Sequence, residues 1–136
     1  MEDLIKITPD KEKAKSILNM AETTLNMIEN IDFTKFTSNV VKEYYDVMRE
    51  LMTAILLLDG YKTYGKEAHK KLIEFLKKDY KEFTQHELYT LNSLRITRNK
   101  IAYDGFFVRE DYLIRKKKDI LDIIHKLKTI LNNKLK

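Results

Sequence analysis

Arg95, Arg98, Asn99, Lys100 and Tyr103 crowd into one stretch, Leu94-Arg95-Ile96-Thr97-Arg98-Asn99-Lys100-Ile101-Ala102-Tyr103-Asp104-Gly105. These side chains bind anions. Arginine in particular stays ionised at every working pH and can contact two phosphate oxygens at once. Wound as a helix at about 100° per residue, the stretch puts Leu91, Leu94, Arg98, Ile101 and Ala102 on one face. The Arg98 guanidinium therefore stands in an apolar stripe, where an unpaired charge costs several kcal/mol of desolvation. It needs a carboxylate, a set of carbonyls, a cleft or an anionic ligand beside it. Arg95, one turn earlier, lies on the edge of the same face and widens the positive patch. Acidic partners for Arg98 are sought in Glu43, Asp46 and Glu50, which line the polar stripe of an earlier helix. The competing assignment turns them to solvent, paired with Lys42 and Arg49 at helical spacing.

Other chemistry is sparse. His86 precedes Arg98 by twelve residues, about 18 Å along a straight helix, too far to act with it in one subunit. His125 falls off the apolar stripe of the last helix, and His69 stands alone near a helix start. The chain has no Cys, no glycine-rich phosphate loop, no nucleophile elbow and no spaced His or Glu metal motif. Neither a metal nor a cofactor is expected.

The run Arg98-Asn99-Lys100-Ile101-Ala102-Tyr103 resembles the signature of the HEPN superfamily, helical domains of prokaryotic toxin–antitoxin and RNA-processing systems. That signature is an Arg, commonly followed by a polar residue such as Asn, with a His about five positions on; here Tyr103 holds the His position. The resemblance implies an up-and-down helical bundle acting as a homodimer, its cleft at a two-fold axis with one motif from each subunit. It also implies metal-independent cleavage of RNA, in which a base takes the ribose 2′-hydroxyl proton and arginine steadies the charge on phosphate. By that analogy Arg98, Asn99 and Tyr103 are the catalytic set, and Arg95 and Lys100 contact RNA phosphate. A nucleotidyltransferase-type antitoxin is the implied protein partner. Tyrosine ordinarily titrates near 10 and histidine near 6.5, so Tyr103 suits hydrogen bonding or stacking on a base better than proton abstraction. The alternative is a catalytically inactive bundle of the same type that binds a nucleotide or a partner. A third possibility is a dimerisation module in which Arg98 serves packing.

The elements that must hold these residues are read from periodicity. With 136 residues, three Gly, one Pro and 43% apolar content, the chain suits a single domain, 1–136, of long helices and short connections. Residues 1–9 read as a leader, and Thr8 or Asp10 caps a first helix with Pro9 in its first turn. Its buried face is Ala14, Ile17, Leu18, Ala21, Leu25 and Ile28, with Met20 and Met27 filling gaps beside it. After a loop from Glu29 to Asn39, a second helix spans about Ser38 to Asp59. Its end, Leu51-Met52-Thr53-Ala54-Ile55-Leu56-Leu57-Leu58, is apolar all round and must be covered all round. Five helices in one small bundle are expected to cover it only partly, which favours a homodimer. Tyr61 to Gly65 reads as a loop. Further helices are expected near Lys66 to Lys78, from Thr84 or Gln85 to Asp104, and from Arg109 to Leu131, with fraying beyond. The expected fold class is all-α, an up-and-down bundle of four to five helices, HEPN-like.

The net charge of +5 is concentrated from Arg109 to Lys136, where nine Lys or Arg face four Asp or Glu. Such a basic helix is an electrostatic footprint for nucleic acid or, equally, a solvated face with cations toward its C-terminal end. The start, Met1-Glu2-Asp3-Leu4, lacks a basic-then-apolar leader, and no apolar run reaches the roughly 18 residues of a membrane span. A soluble, cytoplasmic protein with no membrane partner is expected.

Overall fold

A computed structural model describes residues 4–136. Five helices pack into a bundle: α1 Lys11–Glu29, α2 Thr37–Leu58, α3 Ala68–Asp79, α4 Gln85–Asp104 and α5 Glu110–Leu135. Two short strands, β1 Leu4–Lys6 and β2 Tyr61–Thr63, pair antiparallel with Ile5 opposite Lys62. The fold is an all-α bundle with this small ribbon at one side. Among the described residues no helix is long and apolar enough to cross a membrane.

α2 is the central element. Leu51, Met52, Ala54, Ile55, Leu56 and Leu57 are all buried within the single chain, against α1, α3, α4, α5 and the ribbon. The expectation that one bundle covers this helix only partly is corrected: β2, which β1 pairs, packs on α2 beside the four other helices. The coverage argument therefore gives no ground for a second subunit. α2 ends at Gly60, whose φ of +89° is a conformation that side chains with a Cβ resist; its carbonyl accepts the Ile7 N–H at 2.8 Å. That bond and the β1–β2 pairing fix the path from α2 into α3.

Several boundaries move from those expected, each for a physical reason. Residues Leu4 to Lys6 of the supposed leader, and Tyr61 to Thr63 of the supposed loop, are strands too short for alternation to register. Asp10 caps α1 by accepting the Lys13 N–H at 3.0 Å, so Pro9 lies before the cap rather than in the first turn. Met20 and Met27 are exposed, not gap fillers, because Ala14, Leu18, Ala21 and Ile28 alone make the buried line of α1. α5 does not fray after Leu131. Lys134 reaches Asp59 at 2.5 Å and lies over the Tyr80 ring, anchoring the last turn to the end of α2. Tyr80 donates its hydroxyl to the same carboxylate, and burial together with Asp59 pushes that phenol up to about 12.

α4, the carrier of the arginines, is clamped at its start. Thr84 and Glu87 form a reciprocal capping box, and Lys126 of α5 bonds Glu87 at 2.7 Å. Burial alone would raise the Glu87 carboxyl, but Lys126 and Thr84 outweigh it and hold it below its ordinary value of 4.5. A depressed carboxylate contributes stability that is complete above its unfolded-state value and lost as pH falls through the folded one. Glu87→Gln should therefore lower Tm at pH 7, and the gap to wild type should close as the pH drops below 4.5. Thermal melts from pH 7 to pH 3 check this; a gap independent of pH would assign the effect to packing instead.

Candidate functional site

α4 runs antiparallel to the bundle core with Leu91 and Leu94 fully buried, and these leucines aim the next position on their face, Arg98, at α2. The Arg98 side chain is 14% exposed, and its Nε donates to Oδ1 of Asp46 at 3.0 Å. Of the three acidic candidates, Asp46 takes the guanidinium, whereas Glu43 and Glu50 form no ion pair with Arg98. The apolar stripe is shorter than the helical wheel implies: Leu91, Leu94 and the half-buried Ile101 belong to it, but Ala102 is exposed because α4 projects past the core in its last turn.

Asp46 serves a second cation as well. Arg49, one turn along α2, brings Nε within 3.8 Å of the same Oδ1. Arg95 leans on Asn92, to which its Nε donates at 3.1 Å, and Arg98 Nη1 reaches Asn99 Oδ1 at 3.5 Å. Two guanidiniums thus share one carboxylate with a third nearby, and the charges felt at Tyr45 and His69 are these four. Three polar atoms near them are buried without a hydrogen-bond partner among the described residues: the Tyr45 hydroxyl, Arg49 Nε and Glu50 Oε2, the last on a carboxylate that feels the charges of Arg49, Asp46 and Glu43. Burial dominates at Tyr45 and pushes its phenol up to about 12 against the lowering pull of the arginines. A fully buried hydroxyl without a hydrogen-bond partner, set beside three arginines, is a feature of a site that a polar ligand completes.

Beside the cluster lies a cleft of about 250 Å³ between α4 and the start of α3, lined by Arg95, Asn99, Tyr103, Lys66 and His69; Arg98 reaches it only through its contact with Asn99. The α2–α3 connection, set by the ribbon, delivers His69 here. This corrects the picture of a solitary histidine: position 69 is distant from the arginines in sequence and adjacent in space. The imidazole is half-buried. Burial first, then Arg49, Arg98 and Arg95, lower its pKa below 6.5, with Asp46 opposing. A second cavity of about 290 Å³ lies on its other side, floored by Leu56, Leu57 and Leu72 with Arg49 at the rim.

The remaining candidates are placed less centrally. Tyr103 lines the cleft but is 74% exposed. Lys100 is outside it, its ammonium 5.9 Å from the Phe106 ring centroid. His86 pairs with Asp119 of α5 at 3.1 Å, and His125 is exposed on α5. Among the described residues no group of three or more His, Asp or Glu side chains converges as metal ligands would. Compared with family models and with curated proteins, the chain matches none.

Removing the guanidinium leaves Asp46, itself 15% exposed, facing Arg49 alone. Arg98→Ala should lower stability by about 2 kcal/mol, and adding Asp46→Asn should return part of the loss because the stranded carboxylate goes with it. Urea denaturation of the two single variants and the double variant measures the coupling. Additive losses would mean that Arg98 and Asp46 do not act as a pair.

Proposed function

We propose that this chain is a HEPN-like RNA-binding domain, working as a homodimer, whose Arg98 cleft holds an RNA backbone phosphate and supports metal-independent cleavage beside it. The supporting observation is the cluster of cations: Arg49 and Arg98 share Asp46, the charge of Arg95 is felt with theirs at Tyr45 and His69, and the Tyr45 hydroxyl among them is buried without a partner among the described residues. Asp46 takes Nε of Arg98 and Asn99 Oδ1 contacts Nη1 at 3.5 Å, which leaves Nη2 for a phosphate oxygen. Asn99 and Arg95 on the cleft wall supply further donors to the same anion, and the neighbouring apolar cavity suits a nucleobase. Arg98, Asn99 and Arg95 are the residues on which binding depends; Lys100 adds charge at the margin.

The dimer rests on α4 rather than on α2. Tyr89, Ile96 and Tyr103 are exposed at seven-residue spacing, an apolar seam along the helix that bears the arginines. A second copy packed on that seam brings two clefts together. By analogy with the toxin–antitoxin systems that the motif resembles, the protein is the toxin half of a pair with a nucleotidyltransferase-type antitoxin, acting in the cytoplasm.

A second reading keeps the cleft and drops cleavage, making the domain a nucleotide- or partner-binding bundle. It is favoured by one feature, the exposed Tyr103 at the position where the family carries its histidine.

Single-stranded RNA oligonucleotides, titrated by fluorescence anisotropy with a chelator present, test the reading. Wild type should bind with a steep salt dependence. Arg98→Lys, which keeps the charge and the tie to Asp46 but loses Nη2, should weaken binding about tenfold, the loss of one charge-assisted hydrogen bond. Equal affinity of the two proteins would overturn it. Scission of the same RNA separates the first reading from the second.

A further inference from the structure

The residue that the motif assigns to proton transfer is poorly suited to it. Tyr103 is 74% exposed and carries a phenol rather than an imidazole. The structure offers a better group from a different helix. His69 is in the second position of α3, on the wall shared by the cationic cleft and the apolar cavity. It faces Arg95, Asn99 and Tyr103 on one side and Arg49 on the other.

We propose that His69 is the proton acceptor of the cleft, removing the 2′-hydroxyl proton of the ribose whose phosphate Arg98 and Arg95 hold. The inference rests on the RNA reading above and names the base that this reading lacks. In the step, a ring nitrogen of His69 takes the hydroxyl proton while the 2′-oxygen forms a bond to phosphorus. The phosphorus–5′-oxygen bond breaks, and the 5′-oxygen leaves with its electron pair and takes a proton from water. The products are a 2′,3′-cyclic phosphate and a 5′-hydroxyl. His69 then returns its proton to solvent, and no other reactant is consumed.

The surroundings suit the role. The groups that face His69 are Arg49 and Asp46 from α2, Arg95, Arg98 and Tyr103 from α4, Lys66 and Glu67 from the α3 approach, Lys62 from β2 and Lys13 from α1. Burial and the guanidiniums keep the imidazole neutral at pH 7, the form able to accept a proton. The positive end of α3 acts in the same direction. A bound phosphate cancels part of that positive field, so basicity rises when substrate arrives and the imidazolium formed in the step lies beside an anion.

Single-turnover cleavage of an RNA oligonucleotide in chelator, for wild type, His69→Gln and His69→Ala, provides the test, with anisotropy reporting binding alongside. Loss of a general base is worth about 10²–10⁴-fold. His69→Gln should cut at least 100-fold more slowly while binding RNA within about threefold of wild type. Added imidazole should restore part of the rate to His69→Ala, an effect that a merely structural role cannot produce. The wild-type kcat/KM should rise with pH through a midpoint below 6.5, and His69→Gln should lose that limb. Should His69→Gln fail to fold, the imidazole rescue of His69→Ala decides the matter; should both fail, the wild-type pH limb does. Cleavage by both variants at the wild-type rate overturns the proposal and leaves the RNA reading standing. Arg98-dependent binding without scission overturns it in favour of the binding-only reading, and the absence of both sinks the two together.

Discussion

The contact between Arg98 and Asp46 is the constraint from which the rest of the site follows. It joins the central helix to the helix that carries every arginine but one of the cluster, and it does so through Nε, the nitrogen nearest the backbone. A pair this sheltered contributes little net stability, since desolvation offsets much of the attraction. What it supplies is orientation: the guanidinium plane is held, with its outer edge directed along α4 toward Asn99 and the cleft. Arg49 draws on the same carboxylate, so Asp46 divides its charge between two arginines where α2 and α4 meet.

This arrangement also explains the small ribbon. Strands of three residues contribute little on their own, yet β2 packs on α2, and its pairing with β1 ties the chain as it leaves Gly60. Without that tie the α2–α3 connection has no fixed route, and α3 has no reason to begin at the cleft. The same few residues thus complete the core and set the position of His69.

The helices were legible in the sequence wherever periodicity or a cap marked them. Thr84 with Glu87, and Asp104 followed by Gly105, bound α4 at both ends, and Leu91 and Leu94 gave away the inward aim of Arg98. Asp46 was legible as one acid among three, since all three lie on one polar stripe and only packing selects the residue opposite Arg98. The ribbon was not legible, because three-residue strands carry no alternation to read. His69 was not legible as part of the site either. Its neighbours are brought to it by the fold over a separation of more than twenty residues, and the signal in hindsight is its place at the start of a helix that follows a fixed turn. The argument for a second subunit from α2 failed for the same reason: a covering element too short to predict was left out of the count.

The central claim is that an inward-held guanidinium, steadied by Asp46, is the group that receives a phosphate. Side-chain nitrogen NMR on the intact protein, titrated with a phosphodiester dinucleotide, observes it directly. The account predicts that the Nε–H resonances of Arg98 and Arg95 move together and saturate while those of the lysines along α5 stay in place. Arginine signals that do not respond, with shifts confined to the α5 ammonium groups, would contradict it and move the anion to the basic helix.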